Sequence, residues 1–174
     1  PHRLDGEGHY LAVLQKDGVL SDSYQGYCRN GLQKGINEKE CGDFFAFAKE
    51  TLKTGLTGEL LKFGDQLYLM PEKMPSIQKL KVLRPGLHLG TMKKNRFEPS
   101  HALALALRGE EVIHSCDLDS EGKEIRAYLN GQTLNVEGEK GWYLVTVDGY
   151  STGWGKLAGG VLKNHYPKGL RKNL

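Results

Sequence analysis

The stretch from Gly141 to Arg171, GWYLVTVDGYSTGWGKLAGGVLKNHYPKGLR, constrains the fold more than any other part of the sequence. Its first residues are rich in aromatic and β-branched side chains, and Asp148-Gly149 is a pair that readily forms a hairpin turn. The sequence therefore predicts a strand, a tight turn and a second strand. Glycines then recur, and in a strand they indicate bulges or a close approach of another group to the backbone; they are Gly153, Gly155, Gly159 and Gly160.

From Gly141 to the end of the sequence the chain is basic, with five lysines and arginines against one aspartate, a net charge of +4. Cations, aromatic rings and glycines side by side predict a surface for a polyanion. Lys163, Asn164 and His165 could instead hold the last strand through hydrogen bonds, and both interpretations stay open. The candidate binding residues here are Trp154, Lys156, Lys163, Asn164, His165, Tyr166, Lys168 and Arg171.

Charge is segregated along the chain. Residues 1–83 carry 11 basic and 11 acidic side chains, residues 84–97 carry four basic and none acidic, and residues 98–140 carry four basic and nine acidic. If the two basic segments meet in the fold, they form one positive face next to an acidic one, as expected for a nucleic-acid footprint. A solvated charged face is the alternative interpretation.

The first basic segment combines charge with an aromatic ring. Lys93, Lys94 and Arg96 come almost together, and Phe97 follows them. This combination suits phosphate contact together with stacking on an unpaired base. The alternative is an exposed hairpin end, where lysines are common.

Local patterns predict several further elements. Asp43 can cap a helix whose apolar stripe contains Phe44 and Phe47, and two short strands are expected around Gly64-Asp65. The run HALALALR alternates as a strand does, but Ser100 is placed to cap it and its residues are strong helix formers, which favours a helix.

Composition excludes several classes of protein. The 174 residues include three scattered cysteines, Cys28, Cys41 and Cys116, without a CxxC pair, so neither a disulfide framework nor a zinc site is predicted. No P-loop, GxGxxG junction or HExxH motif is present. No apolar run reaches membrane-spanning length and no signal peptide opens the sequence, so we expect a cytoplasmic protein with no membrane partner.

Three runs of the sequence are similar to parts of one family. The run WGKLAGGVLKNHYPKGLR resembles the end of the PUA-like RNA-binding domain of RsmF-type ribosomal RNA (cytosine-5) methyltransferases, a bacterial branch of the Nol/Nop/Sun-type family. The run LRPGLHLGTMKKNRFEPSHALALAL resembles the first region beyond the catalytic domain of that family. The opening PHRLDGEGHYLAVLQK resembles the final strand of its catalytic domain and the turn leading into it.

The resemblance implies an α+β chain in which a small mixed module precedes a PUA-like β pseudobarrel with short helices. Residues 1–16 would be the last strand of a truncated catalytic domain, 17–41 a linker, 42–83 the small α/β module and 84–174 the RNA-binding domain. It implies no catalytic residue in this chain, because none of the three cysteines lies in a matching motif.

The function that the resemblance implies is the noncatalytic, RNA-binding C-terminal portion of an S-adenosylmethionine-dependent enzyme. This portion would position small-subunit ribosomal RNA for the upstream catalytic domain, its other partner. The cofactor S-adenosylmethionine would belong to the full-length protein, not to this chain. The alternative is a protein-interaction module that docks on a catalytic domain or on a ribosomal partner.

Overall fold

A computed structural model describes residues 31–172 together with Ala12 and Leu14. Apart from Ala12 and Leu14, the predicted last strand at residues 1–16 lies outside the described residues, and so do most of the predicted linker and Cys28. The described chain has three helices and nine strands, so the predicted α+β class is confirmed.

The first sheet is a simple antiparallel meander. A 3-10 turn at Glu38–Cys41 leads into helix α1, Gly42–Thr51. Four strands then pair in the order of the chain: β1 (Glu59–Phe63), β2 (Gln66–Met70), β3 (Leu87–Lys93) and β4 (Arg96–Pro99). Helix α1 lies against β4, which places its apolar stripe over this sheet.

The second sheet has a non-sequential order. Helix α2 (His101–Ala106) connects the first sheet to it, and helix α3 (Lys123–Leu129) packs beside it. Its strands are β5 (Ser115–Leu118), β6 (Leu134–Asn135), β7 (Gly141–Val147), β8 (Tyr150–Ala158) and β9 (Val161–Asn164). They lie in the order β5-β7-β8-β9-β6, in which β5 and β7 are parallel and the other pairs are antiparallel.

Both faces of the β7–β8 hairpin are buried. Leu144 and Trp154, which pair across it, pack into one core with Phe44 and Phe47 of α1. The opposite face of the hairpin packs against α3 in a second core that contains Tyr128. Side chains that alternate along a strand point to opposite faces, so this one hairpin joins the two halves of the described chain.

The local signals that the sequence carries are mostly confirmed. Asp148 and Gly149 both have positive φ, 48° and 83°, as the tight β7–β8 turn requires. Ser100 caps α2, because its hydroxyl accepts a hydrogen bond of 3.0 Å from the backbone N–H of Leu103. The predicted N-cap of α1 is wrong: the helix follows a 3-10 turn, its N-cap is Cys41, and Asp43 lies in its first turn.

The predicted division of the chain at residues 83 and 84 falls inside the first sheet, between β2 and β3. The described part of the predicted linker also contacts this sheet, since Ile36 N–H donates to the carbonyl of Leu60 at 2.8 Å. The division into domains stays a prediction.

Candidate nucleic-acid interface

A row of one aromatic and two cationic side chains crosses the second sheet. Trp142 on β7 pairs with Lys156 on β8, and Lys156 pairs with Lys163 on β9. Directly paired residues point to the same face of a sheet. The three side chains therefore lie side by side, with Trp142 half-buried and both lysines exposed.

The two lysines face each other as like charges. In the described part of the chain neither ammonium has a carboxylate within ion-pair distance. Like charges placed directly opposite on a sheet destabilise it. A weak cation–π contact partly offsets the repulsion between the lysines. The ammonium of Lys156 lies 5.2 Å from the centre of the Trp142 ring, and such a contact contributes about 0.5–1 kcal/mol at an exposed site.

The first basic segment reaches this row at a cleft of about 250 Å³. Arg96 and Glu98 of β4 form one wall, and Nη2 of Arg96 donates to Oε1 of Glu98 at 3.0 Å. Trp142, Lys156 and His165 form the other wall. The two basic segments, far apart in the sequence, thus meet at one place on the surface.

His165 lies at the rim of the cleft with its ring edge against Trp142. The ring centres are 4.6 Å apart, and the backbone N–H of His165 donates to the carbonyl of Trp154 at 3.0 Å. Burial lowers the pKa of the imidazole; Glu98 opposes this, while the cations of Lys156, Arg171 and Lys163 lower the pKa further. The cations gathered here therefore favour the neutral form of His165.

Lys93 and Arg96 are paired across the β3–β4 hairpin, so both side chains leave the same face of the first sheet. The ammonium of Lys93 lies 3.8 Å from Oδ2 of Asp65, and both groups are well exposed. Such a pair contributes little to stability, so Lys93 stays open to another anion. Lys94 is exposed at the hairpin turn.

Three predicted site residues are used inside the protein. The side-chain amide of Asn164 donates to the carbonyls of Tyr128 and Gln132 at 2.8 and 3.0 Å, and its oxygen accepts from Tyr166 N–H at 2.8 Å. Arg171 donates from Nε and Nη2 to the carbonyl of Tyr166 at 3.3 and 3.1 Å. Asn164, Tyr166 and Arg171 thus hold the end of the chain against α3, and Lys168 beside them is exposed.

Two predicted stacking residues are corrected. Phe97 is 4% exposed and packs against the rings of Phe44 and Phe47. Trp154 is 1% exposed, and its Nε1–H donates to the carbonyl of Ser100 at 2.9 Å. Both rings belong to the core, and Phe97 also borders the cleft between Arg96 and Glu98.

Trp142 is an aromatic residue at the site that the sequence pattern does not single out. In the sequence it belongs to an apolar strand, yet it is the half-buried ring between the two basic segments. Two features of the sequence could have identified Trp142. Alternation along β7 places Trp142 and Leu144 on one face of the strand, and the register of the hairpin places Trp142 opposite Lys156.

No nucleophile or metal centre is evident in the described chain. Burial raises the pKa of the Cys41 and Cys116 thiols, which disfavours the reactive thiolate. No group of three or more metal-ligating side chains is found among residues 31–172. None of the helices described has both the length and the apolar character needed to cross a membrane.

Two family models match consecutive parts of the chain. Residues 46–107 match the RsmF rRNA methyltransferase first C-terminal domain. Residues 115–172 match the methyltransferase RsmF PUA domain. The first match contains most of α1, both hairpins of the first sheet and α2, and the second contains the second sheet, which is consistent with a PUA-like β fold.

Two curated relatives match nearly the whole chain. Ribosomal RNA small subunit methyltransferase F of Aeromonas salmonicida (strain A449) is 29% identical over 175 residues, covering 98% of this chain and 36% of the relative. The Shewanella piezotolerans (strain WP3 / JCM 13877) protein of the same name is 25% identical over 183 residues, covering 99% of this chain and 37% of the relative. The chain thus spans little more than a third of these relatives, and it belongs to the RsmF family of rRNA methyltransferases, in which it corresponds to the C-terminal domains.

Proposed function

We propose that this chain is the RNA-binding, noncatalytic part of a ribosomal RNA methyltransferase and that it positions small-subunit rRNA for a separate catalytic domain. The single observation that carries the proposal is the meeting of the two basic segments at the Trp142 cleft. Arg96 stands on one side of the cleft and Lys156 on the other, with Lys163 next to it. Cations around an accessible aromatic ring suit a flexible polyanion.

The test is the salt dependence of binding. Affinity of the 174-residue chain for a small-subunit rRNA fragment is measured by fluorescence anisotropy across a series of salt concentrations. Reversing the charge of Lys93, Lys94 and Lys163 together should weaken binding and flatten the salt dependence. For single-stranded RNA, removing one lysine–phosphate interaction reduces the slope of log K against log salt by about 0.7.

A matched control reverses three exposed lysines elsewhere, Lys39, Lys49 and Lys53. This variant has the same net charge as the test variant, so any effect of total charge is shared by both. The control should retain more affinity and a steeper slope than the test variant. Equal losses of affinity in the two variants would contradict a binding face at the cleft.

The proposal for the whole protein follows from the relatives, which are named as small-subunit rRNA methyltransferases. We propose that the full-length protein transfers a methyl group from S-adenosylmethionine to C5 of a cytosine in cytoplasmic rRNA. The chemistry would belong to a domain outside this chain. The C-terminal domains would raise the local concentration of RNA there and fix its orientation.

A second candidate function is docking on the catalytic domain. An apolar cleft of about 430 Å³ lies between α1 and β1, lined by Phe45, Ala48, Leu56, Leu60 and Leu69. Phe45 is 39% exposed, so its ring forms part of the accessible surface of this cleft. Binding of this face to a catalytic domain would depend little on salt, whereas binding of the Trp142 cleft to RNA would depend on it steeply.

A further inference from the structure

We propose that the cleft between β4 and the β7–β8–β9 sheet holds one unpaired nucleotide, with its base stacked on Trp142 and its phosphate between Lys156 and Lys163. This inference rests on the proposed RNA-binding function and adds to it the class of ligand that the cleft takes. It predicts that the chain distinguishes single-stranded from double-stranded RNA.

The platform for the base is the indole of Trp142. The side of the ring toward the protein packs against Phe47 and Trp154, with ring centres 6.2 and 6.3 Å away in edge-to-face geometry. These contacts fix the ring before any ligand arrives. The His165 ring contacts Trp142 edge-to-face and limits how far a base can slide.

Lys156 now occupies the outer face of the ring. Its side chain is exposed and flexible, and stacking of a base on an aromatic ring is stronger than an exposed cation–π contact. A base can therefore displace the ammonium of Lys156 from the ring. The displaced ammonium remains tethered next to Lys163, where it can contact the phosphate of the same nucleotide.

Glu98 sets the orientation of the nucleotide. Its carboxylate, which accepts from Arg96, can also accept from an amino or imino group of a base. The two lysines, which lack a carboxylate partner in the described chain, attract phosphate at the opposite wall. The base edge thus points to Glu98 and the phosphate away from it.

The size of the cleft suits a single base. Its volume, about 250 Å³, is below the range of roughly 300–1,000 Å³ typical of pockets for drug-sized molecules. Trp142, which is half-buried, provides the stacking surface of its floor, and Phe97 and His165 also line the cleft. A paired base cannot reach this floor without leaving its duplex, which requires unstacking and unpairing.

The experiment uses tryptophan emission as the readout, since the chain has two tryptophans and Trp154 is 1% exposed. The 174-residue chain is titrated with a single-stranded oligoribonucleotide of about eight nucleotides and with a duplex of the same sequence. We expect the single strand to quench Trp142 and the duplex not to. Trp142→Leu should weaken single-strand binding roughly tenfold and leave duplex binding unchanged.

Trp142→Phe guards against misfolding, because phenylalanine keeps an aromatic ring on the core. It should bind the single strand with near-normal affinity and show no quenching. Equal quenching by both RNAs would overturn the inference, and so would an unchanged single-strand affinity in Trp142→Leu. If binding is still sensitive to salt in either case, the proposed RNA-binding function stands. Absence of binding to either RNA overturns both.

Discussion

Asn164 shows how one side chain can look like a ligand contact and act as a structural one. Its three hydrogen bonds join β9, the end of α3 and Tyr166. Asn164→Ala should lower the free energy of unfolding by about 1–3 kcal/mol, because it removes three hydrogen bonds, two of them partly buried. Urea denaturation measures this decrease.

The adjacent Lys163 provides the contrast. Its side chain is exposed and forms no ion pair in the described chain, so Lys163→Ala should leave the urea midpoint nearly unchanged while it weakens rRNA binding. The pair of variants separates the two interpretations that the sequence leaves open for residues 163–165. A stable Asn164→Ala variant with impaired RNA binding would assign Asn164 to the interface instead.

Phe97 belongs to the core, and its substitution should act on stability. Phe97→Ala removes a ring that packs against Phe44 and Phe47, and we expect the free energy of unfolding to fall by about 3–5 kcal/mol. Thermal or urea denaturation provides the measurement. Normal stability combined with weak RNA binding would instead support a stacking role for this ring.

Charged residues at the candidate site could be predicted from the sequence, but aromatic residues could not. Lysines such as Lys156 and Lys163 stay exposed because burying an ammonium costs too much. An aromatic ring suits a core as well as a surface, so adjacency in sequence does not show that Phe97 and Trp154 are buried while Trp142 is accessible. The pairing of strands decides this, and pairing is nonlocal.

At the scale of elements, α2 depends on its cap. Ser100 accepts from Leu103 N–H and also donates to the carbonyl of His88 on β3. Ser100→Ala should therefore destabilise the protein by about 1–2 kcal/mol, as measured by urea denaturation. Ser120→Ala, at an exposed position, is the control and should have almost no effect.

The same helix shows which elements a sequence specifies locally. The run HALALALR alternates as a strand does, but its N-cap and its alanines favour a helix, and the structure confirms the helix. Turns at Gly64-Asp65 and Asp148-Gly149 likewise define hairpins from their own residues. The parallel pairing of β5 with β7 could not be predicted, because no local signal links Ser115 to Leu144 across an intervening helix and strand.

At the scale of the whole molecule, stability should fall in mild acid. Burial lowers the pKa of His88 and of His101 below the ordinary value of 6.5. Between the folded-state pKa and 6.5 the unfolded chain binds more protons than the folded chain, so the free energy of unfolding decreases as pH drops through that window. Urea denaturation at about pH 7.5 and at about pH 5 measures the effect.

His101 offers the control for this pH dependence. Its Nδ1 is buried without a hydrogen-bond partner among the described residues, and its ring contacts Tyr166 edge-on. His101→Phe keeps the aromatic contact and removes the titrating group. The variant should lose less stability between the two pH values than the original chain, and an unchanged decrease would assign the effect to other groups.

The shared core has one further consequence for the molecule as a whole. Leu144 and Trp154 of the second sheet are embedded among Phe44 and Phe47 of α1, so the two family domains cannot swivel past each other without opening that core. A strand of RNA bound between the two domains would therefore leave the protein in one fixed direction. The C-terminal domains would then act as a rigid unit that fixes the orientation of the RNA. A flexible attachment would only keep the RNA nearby.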